Sequence, residues 1–348
     1  MIATKTNGAL QKIGKSYKKY PQELEKLTAL FTNDIGNRRH GEDKMKPLSP
    51  NTIKNYVGKL DRLAAIVTGE GYNGSITWIE NTDKVRRALE ATKLSGLKDY
   101  ITPIVKMLKA KNARNDIIES YQTMMAEFKQ NEYKVRGENR ASEKSVNASL
   151  SLPTILERIE KYEPQDDMQL IYKMLCSMYF QNSFVPRLTD ITLMKLVSTS
   201  KKPSQMDLKY NYITTDKNGE VKQIIMNQYK TKSTYGQQKF DITPPVKKLM
   251  NDYLAAYNKR NGDYFILNSE GQPFLRQNFS ELLGDATEKV LGSRMGADLI
   301  RQIIITDYYT TNAHSINEDQ EFARRFLHSS QVQKEYLRLN LKTTEDDS

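Results

Sequence analysis

The chain has 348 residues, of which 38% are hydrophobic and 27% charged, a composition typical of globular proteins with room for two domains. No apolar run approaches the roughly 18 residues that cross a bilayer, and the N-terminal residues lack the apolar stretch of a secretory signal. We therefore expect an intracellular protein with no membrane-spanning segment. Its one cysteine, Cys176, excludes an internal disulfide and a cysteine-rich zinc site.

Positive charge is concentrated in the N-terminal part. The net charge is +11; residues 1–150 hold 27 lysines and arginines against 17 acids, whereas residues 151–348 hold 26 against 25. Such an excess predicts a surface that binds the phosphates of nucleic acid without reading their sequence. A solvated basic surface is the alternative interpretation, and charge alone does not separate the two.

Residues 1–136 are predicted to form an all-helical domain. Apolar residues recur every three or four positions, which indicates helices near 24–31, 48–67, 82–92, 96–111 and 116–136. In the second of these, Ser49 suits the N-cap and Pro50 the first turn. The charged residues that lie off its apolar stripe are candidate DNA contacts: Lys54, Lys59 and Arg62.

Residues 137–150 are polar and lose this periodicity, so we predict an interdomain linker there. Residues 151–348 then mix apolar helical segments with two β-rich runs around the turn at 216–219 and a third strand within 233–243. The fold class predicted is α+β: a mainly helical domain with a small antiparallel sheet, preceded by an all-helical domain.

Phosphodiester transfer without a metal needs a nucleophile, cations around the non-bridging oxygens and an acid for the leaving oxygen. The second domain offers such a set. In chain order it comprises Arg187, Lys230 or Lys232, Arg301, His328 and Tyr336. Arginine suits the cationic role because its planar fork can bind two phosphate oxygens at once. His40 and His314 lack this context and are interpreted as structural.

This order resembles that of the tyrosine recombinases, also called phage-type integrases. The first arginine, Arg187, is followed three positions later by Asp190, and the second, Arg301, lies 114 residues further on. A hairpin lysine lies between them; Lys230 is our first choice and Lys232 the alternative. LHSS at 327–330 then precedes Tyr336, as the family's late motif precedes its nucleophile.

The resemblance implies a mechanism and partners. Tyr336 would attack a DNA phosphate to give a 3′-phosphotyrosine, while Arg187, Arg301 and His328 hold the phosphate and a hairpin lysine protonates the leaving 5′-oxygen. Asp190 would support Arg187, and no metal or other cofactor is implied. The partner would be double-stranded DNA, bound by a homotetramer, with the helical domain as a core-binding DNA clamp. A viral or mobile-element source would imply genome integration in the host nucleus or a cytoplasmic viral factory.

One position departs from the family's pattern. The His or Lys expected three residues before the second arginine is Asp298, and a carboxylate cannot donate to a phosphate. Three alternatives stay open beside the recombinase. The first is a type IB topoisomerase-like enzyme, which uses similar residues to relax DNA. The second is a catalytically inactive DNA-binding relative, in which Asp298 marks the loss of activity. The third is a basic helical scaffold in which the order of the motifs is a coincidence.

Overall fold

A computed structural model describes residues 20–33, 36–37, 46–92, 96–192, 194–200, 206–311 and 313–342. These residues form two compact units that meet in the chain between Gly137 and Glu138, each with a hydrophobic core of its own. The part of the N-terminal prediction that falls on 1–19 lies outside the described residues, as does His40. No helix within these ranges is long and apolar enough to cross a membrane.

The first unit is helical, as its periodicity predicts. Its helices are α1 (Pro21–Asn33), α2 (Pro50–Thr68), α3 (Thr77–Glu80), α4 (Thr82–Glu90), α5 (Lys98–Ala110) and α6 (Asn115–Gly137). Two short strands, β1 (Gly36–Asn37) and β2 (Lys46–Pro47), pair antiparallel. Helix α2 shows why these segments are helical. The side chain of Ser49 caps its start, Pro50 occupies the first turn, and Gly69 ends it with a φ of +83°.

The second unit contains the remaining helices and the larger sheet. The helices are α7 (Glu143–Ala148), α8 (Leu152–Lys161), α9 (Asp167–Phe180), α10 (Leu188–Thr192), α11 (Lys232–Tyr235), α12 (Pro244–Ala256), α13 (Arg276–Leu291), α14 (Ala297–Thr311), α15 (Ile316–Arg324) and α16 (Ser330–Lys334). Helix α9 is buried along its whole second half, as its apolar sequence predicts. The α+β class with a mainly helical character is thus confirmed.

The sheet of the second unit is mixed, which corrects the prediction of a purely antiparallel sheet. Among the described residues it has four strands in the order β3 (Met194–Ser198), β4 (Asn211–Thr215), β5 (Val221–Met226) and β6 (Gln238–Asp241). β4, β5 and β6 pair antiparallel as predicted, but β3 pairs parallel with β4. The segment that contains β3 was predicted without a strand because its apolar run is too short to separate strand from helix by periodicity.

The predicted linker at 137–150 is more ordered than its composition indicates. It contains α7, which is capped by the side chain of Ser142. The side chain of Asn340 also accepts a bond from the backbone N–H of Ala141 at 2.6 Å and donates to its carbonyl oxygen at 3.2 Å. Polar residues therefore build structure here through caps and side-chain contacts that a hydrophobic pattern does not reveal.

Asn211, at the start of β4, joins two loops of the second unit. Its side chain is fully buried and donates to the carbonyl oxygens of Asp190 and Gln228, at 2.8 and 2.9 Å. Its amide oxygen accepts the backbone N–H groups of Asn227 and Gln228, at 2.9 and 2.7 Å. One buried amide thus fixes the end of α10 to the segment that leaves β5.

We expect Asn211→Ala to lower the free energy of unfolding by about 2 to 5 kcal/mol, because four buried hydrogen bonds are lost and their partners stay buried. Urea unfolding followed by circular dichroism would measure this. The matched control is Asn218→Ala in the exposed turn between β4 and β5, expected to change stability by less than about 0.5 kcal/mol. Equal effects of the two substitutions would contradict the role of Asn211.

Candidate active site

Arg301 lies at the centre of the candidate site. It projects from α14 and is only 1% exposed, although it carries a charge. Its Nη1 donates to the carbonyl oxygen of Val185 at 2.8 Å, and its Nη2 donates to that of Phe326 at 3.1 Å. The guanidinium thus connects two loops that lie far apart in sequence, one before α10 and one after α15. Burial and the nearby Arg187 lower the pKa of Arg301 to about 10, so it remains cationic at neutral pH.

His328 contacts the same guanidinium. Its Nε2 lies 2.9 Å from Arg301 Nη2, and since a guanidinium has no acceptor, Nε2 must accept this bond. The neutral ring therefore carries its proton on Nδ1. Burial, together with Arg301, Arg187 and Lys230, lowers the pKa of His328 to about 3, which favours the neutral form.

The backbone just before His328 is strained. Leu327 has a φ of +56°, a left-handed conformation that costs a branched residue on the order of 1 to 3 kcal/mol. The carbonyl oxygen of Leu327 accepts the hydroxyl of Thr231 at 2.6 Å, which ties this loop to the segment after β5. The strained turn directs His328 toward Arg301.

Arg187 immediately precedes the short helix α10 and is half-buried. Asp190 supports it through the backbone: its carboxylate accepts the N–H of Arg187 at 2.8 Å, and its own N–H donates to the carbonyl oxygen of Arg187 at 3.0 Å. The expected support thus acts on the main chain of Arg187, and no ion pair joins the two side chains. Burial raises the pKa of Asp190 to about 6, which weakens its negative charge near neutral pH.

Tyr336 faces this group. The centre of its ring lies 5.5 Å from the guanidinium carbon of Arg301 and 5.4 Å from the ring centre of His328. Helix α16 ends at Lys334, and Tyr336 follows in a turn in which its N–H donates to the carbonyl oxygen of Gln333 at 2.9 Å. The side chain is half-buried and so remains accessible to a substrate.

Two residues two positions apart share one face of an extended strand. The two candidate lysines do not, because both lie outside the strands. Strand β5 ends at Met226; Lys230 lies in the following turn and Lys232 begins α11. Lys232 Nζ donates to the side chain of Gln228 at 2.7 Å, whereas Lys230 is one of the cations whose charge lowers the pKa of His328. Lys230 therefore stays the first choice and Lys232 the alternative.

The site holds more donors than acceptors. Among the candidate site residues, three buried N–H groups have no hydrogen-bond partner in the described part of the chain: Arg187 Nη1, Arg301 Nε and His328 Nδ1. The buried Oδ1 of Asp190 is the one unpaired acceptor among the same candidate residues. No described carboxylate forms an ion pair with either arginine. Buried polar groups are nearly always paired, and buried charges more strictly so. An anion with several oxygens, such as a phosphodiester, would satisfy this set.

Sequence reasoning missed three residues that shape the site: Asn211, Thr231 and Tyr179. Tyr179 is fully buried on α9, and its hydroxyl has no hydrogen-bond partner in the described part of the chain. Burial and the charge of Asp190 raise the pKa of that hydroxyl. A tyrosine within an otherwise apolar helical segment was the available signal, but aromatic residues are common in cores.

Asp298 and His314 have structural explanations. Asp298 is exposed in the first turn of α14, where a carboxylate is stabilised by the helix dipole. The His314 ring stacks on Tyr308 at 3.6 Å, and its Nε2 lies 2.6 Å from the carbonyl oxygen of Tyr308. Within the described residues, no group of three or more His, Cys, Asp or Glu could hold a metal ion.

The proposed DNA contacts of the first unit differ in their surroundings. Lys54 is exposed on α2. Lys59 Nζ lies 3.3 Å from a carboxylate oxygen of Asp99, so its charge is partly compensated. Arg62 is half-buried, and its Nε has no hydrogen-bond partner among the described residues. Lys54 is therefore the most accessible cation of the three.

Comparison with known proteins gives a distant structural likeness. No family model and no curated protein matches this chain. Among solved structures, one titled "Crystal structure of XerA recombinase" is similar to it with a TM-score of 0.38 and 15% identity, over 92% of this chain and 94% of that chain. At this distance the likeness carries no argument about function.

The pKa of His328 predicts a pH dependence of stability. Between about 3 and 6.5 the unfolded chain binds a proton at His328 that the folded chain does not, so acidification through this window disfavours folding. We expect the free energy of unfolding of the wild type, minus that of His328→Asn, to fall as the pH decreases from 7 to about 4. The raised pKa of Asp190 changes stability with pH in the opposite direction, but Asp190 is present in both proteins, so its contribution cancels in the difference. Urea unfolding at several pH values tests this, and a pH-independent difference would contradict it.

Proposed function

We propose that this protein is a DNA strand transferase of the tyrosine recombinase type, with Tyr336 as the nucleophile. One observation carries the proposal: unpartnered donors of Arg187, Arg301 and His328 are grouped in the second unit, where the Tyr336 ring faces Arg301 and His328. These residues come from four separate parts of the chain. Their grouping is a property of the fold and is independent of the motif order that led to them.

The donors suit a phosphate that is being attacked. Negative charge accumulates on the non-bridging oxygens in the transition state, and donors held in place beforehand stabilise that charge without reorganising. Arg301 is held by the carbonyl oxygens of Val185 and Phe326, and its Nε remains available. His328, neutral and protonated on Nδ1, can donate one further bond. Arg187 adds a second cation.

In the first step, the phenol oxygen of Tyr336 bonds to phosphorus and the bond to the 5′-oxygen breaks. The phenol proton leaves to solvent, and the departing 5′-oxygen takes a proton from Lys230. The products are a 3′-phosphotyrosine and a free 5′-hydroxyl. In the second step a 5′-hydroxyl gives its proton to Lys230 and bonds to phosphorus. The bond to Tyr336 breaks, the phenol regains a proton from solvent, and a phosphodiester is restored. The covalent bond conserves the energy of the original linkage, so the strands can be rejoined without ATP.

Double-stranded DNA is the proposed partner. The excess of positive charge in residues 1–150, with Lys54 exposed on α2, supports contacts to the phosphate backbone by the first unit. By the family resemblance, recombination between two duplexes would use a homotetramer on DNA. Integration of a viral or mobile-element genome is the biological setting that we propose for this activity.

We expect Tyr336→Phe to abolish the covalent adduct, with a loss of at least about a thousandfold, because the ring is kept and only the attacking oxygen is removed. The assay uses labelled nicked duplexes of varied sequence and a denaturing gel. DNA affinity should stay within about twofold of the wild type. The control is Tyr257→Phe on the exposed surface after α12, which should form the adduct normally. An adduct formed by Tyr336→Phe would show that the nucleophile is wrong.

The leaving-group acid can be identified with a substrate that does not need one. We expect Lys230→Ala to slow cleavage by roughly 100- to 10,000-fold on ordinary DNA, as general-acid catalysis contributes about that much. A bridging sulfur in place of the 5′-oxygen leaves as a stable thiolate and should restore the rate. Lys232→Ala should show little loss on either substrate. Rescue of Lys232→Ala instead of Lys230→Ala would reassign the acid to Lys232.

Two outcomes would favour the alternatives. Relaxation of supercoiled plasmid by the monomer, without joining of different duplexes, would indicate a topoisomerase-like activity. Salt-sensitive DNA binding without any adduct over the duplex pool would indicate a catalytically inactive DNA-binding protein.

A further inference from the structure

A second cleft lies directly beside the candidate site. It has a volume of about 470 Å³, within the range of about 300 to 1,000 Å³ that is common for small-ligand sites. His328 and the two residues that follow it form one wall. The other lining residues are Tyr235, Gln238, Gln320, Arg324 and Leu327. His328 thus belongs both to the candidate site and to this cleft.

The lining groups are those that would bind a nucleotide. Tyr235 is 40% exposed, so a ligand in the cleft can reach its ring. Arg324 is exposed and forms no ion pair with a described residue. Gln320 carries an amide that can both donate and accept, as the edges of nucleobases require. No carboxylate is among the described residues that line the cleft.

The position of Tyr235 is fixed by its backbone. Gly236, which follows it, has a φ of +63° and a ψ of −154°, a conformation that is accessible essentially only to glycine. The carbonyl oxygen of Tyr235 accepts the side chain of Gln238 at 2.5 Å, and Gln238 in turn accepts Arg324 Nε at 3.3 Å. The backbone of Tyr235 and the side chain of Arg324 are therefore linked through the amide of Gln238, and all three residues line the cleft.

The larger neighbouring cleft does not share this chemistry. It has a volume of about 730 Å³, and three carboxylates, those of Asp241, Glu318 and Glu321, line it beside the cations of Lys239, Arg324 and Arg325. The carboxylates would offset the attraction of these cations for a phosphate. The difference in charge separates the two clefts, although Arg324 lies on the border of both.

We propose that the cleft around Tyr235 binds one unpaired nucleotide next to the phosphate under attack, with its base stacked on Tyr235 and its own phosphate on Arg324. This rests on the proposed function, since it takes the phosphate position from Arg301, His328 and Tyr336. It implies that a base beside the cleavage position leaves the duplex stack. Stacking on an aromatic ring repays part of the cost of unpairing and tolerates any base.

The test compares two labelled duplexes of the same length, one fully paired and one with a single unpaired 2-aminopurine. We expect Tyr235→Ala in the full chain to weaken binding of the unpaired probe by roughly 5- to 100-fold and to abolish the fluorescence quenching that stacking causes. Binding of the paired probe should change by less than about twofold. Tyr235→Phe, which keeps the ring, should behave like the wild type. Tyr257→Ala removes a comparably exposed tyrosine and should have no effect on either probe.

The outcomes separate this proposal from the proposed function. Equal losses on both probes, or no loss for Tyr235→Ala, would overturn the nucleotide subsite even if Tyr336 forms its adduct. A loss confined to the unpaired probe would support the subsite even if no adduct forms, and the failure would then belong to the strand-transfer proposal. Reduced self-association of Tyr235→Ala in sedimentation, without a difference between probes, would show that a second copy of the chain occupies the cleft, and the nucleotide assignment would be wrong.

Discussion

The buried guanidinium of Arg301 is the constraint on which the candidate site depends. A buried cation destabilises the folded state unless it is hydrogen-bonded. The guanidinium of Arg301 is bonded to the carbonyl oxygens of Val185 and Phe326 and to the ring of His328. Those bonds join the loop before α10 to the loop after α15. The backbone N–H of Val185 also donates to the carbonyl oxygen of Arg325, at 2.8 Å, which closes the same junction.

The other elements of the site are tied to that junction. Thr231 connects the turn after β5 to Leu327, and Asn211 connects the same segment to α10. Lys230, Arg187 and His328 are therefore carried by loops that are bonded to one another as well as to the rest of the domain. Such support holds reacting groups in place before a substrate arrives, which is the main structural requirement for stabilising a charged transition state.

This arrangement comes with a cost in stability. The donors of Arg187, Arg301 and His328 that lack partners, the left-handed Leu327 and the buried Asp190 each oppose folding. Replacing buried charges with apolar groups of similar size often leaves a protein equally stable or makes it more stable. Packing alone does not explain these unsatisfied groups around one tyrosine, whereas the phosphate binding proposed above would account for them.

Local patterns determined much of this protein. The apolar spacing of α2 and α9, the cap at Ser49 and the hairpin around 216–219 follow from neighbouring residues alone. The candidate site residues were chosen by their type and by their order along the chain, which resembles that of a known family. The tertiary structure decided the rest. β3 becomes a strand because it finds a parallel partner some 17 residues away in β4, which no local period encodes. The tautomer of His328 depends on a bond to Arg301, 27 positions earlier, and the separation of Lys230 from Lys232 depends on where β5 ends. Local periodicity sets the elements, whereas burial and long-range hydrogen bonds set which side chains meet.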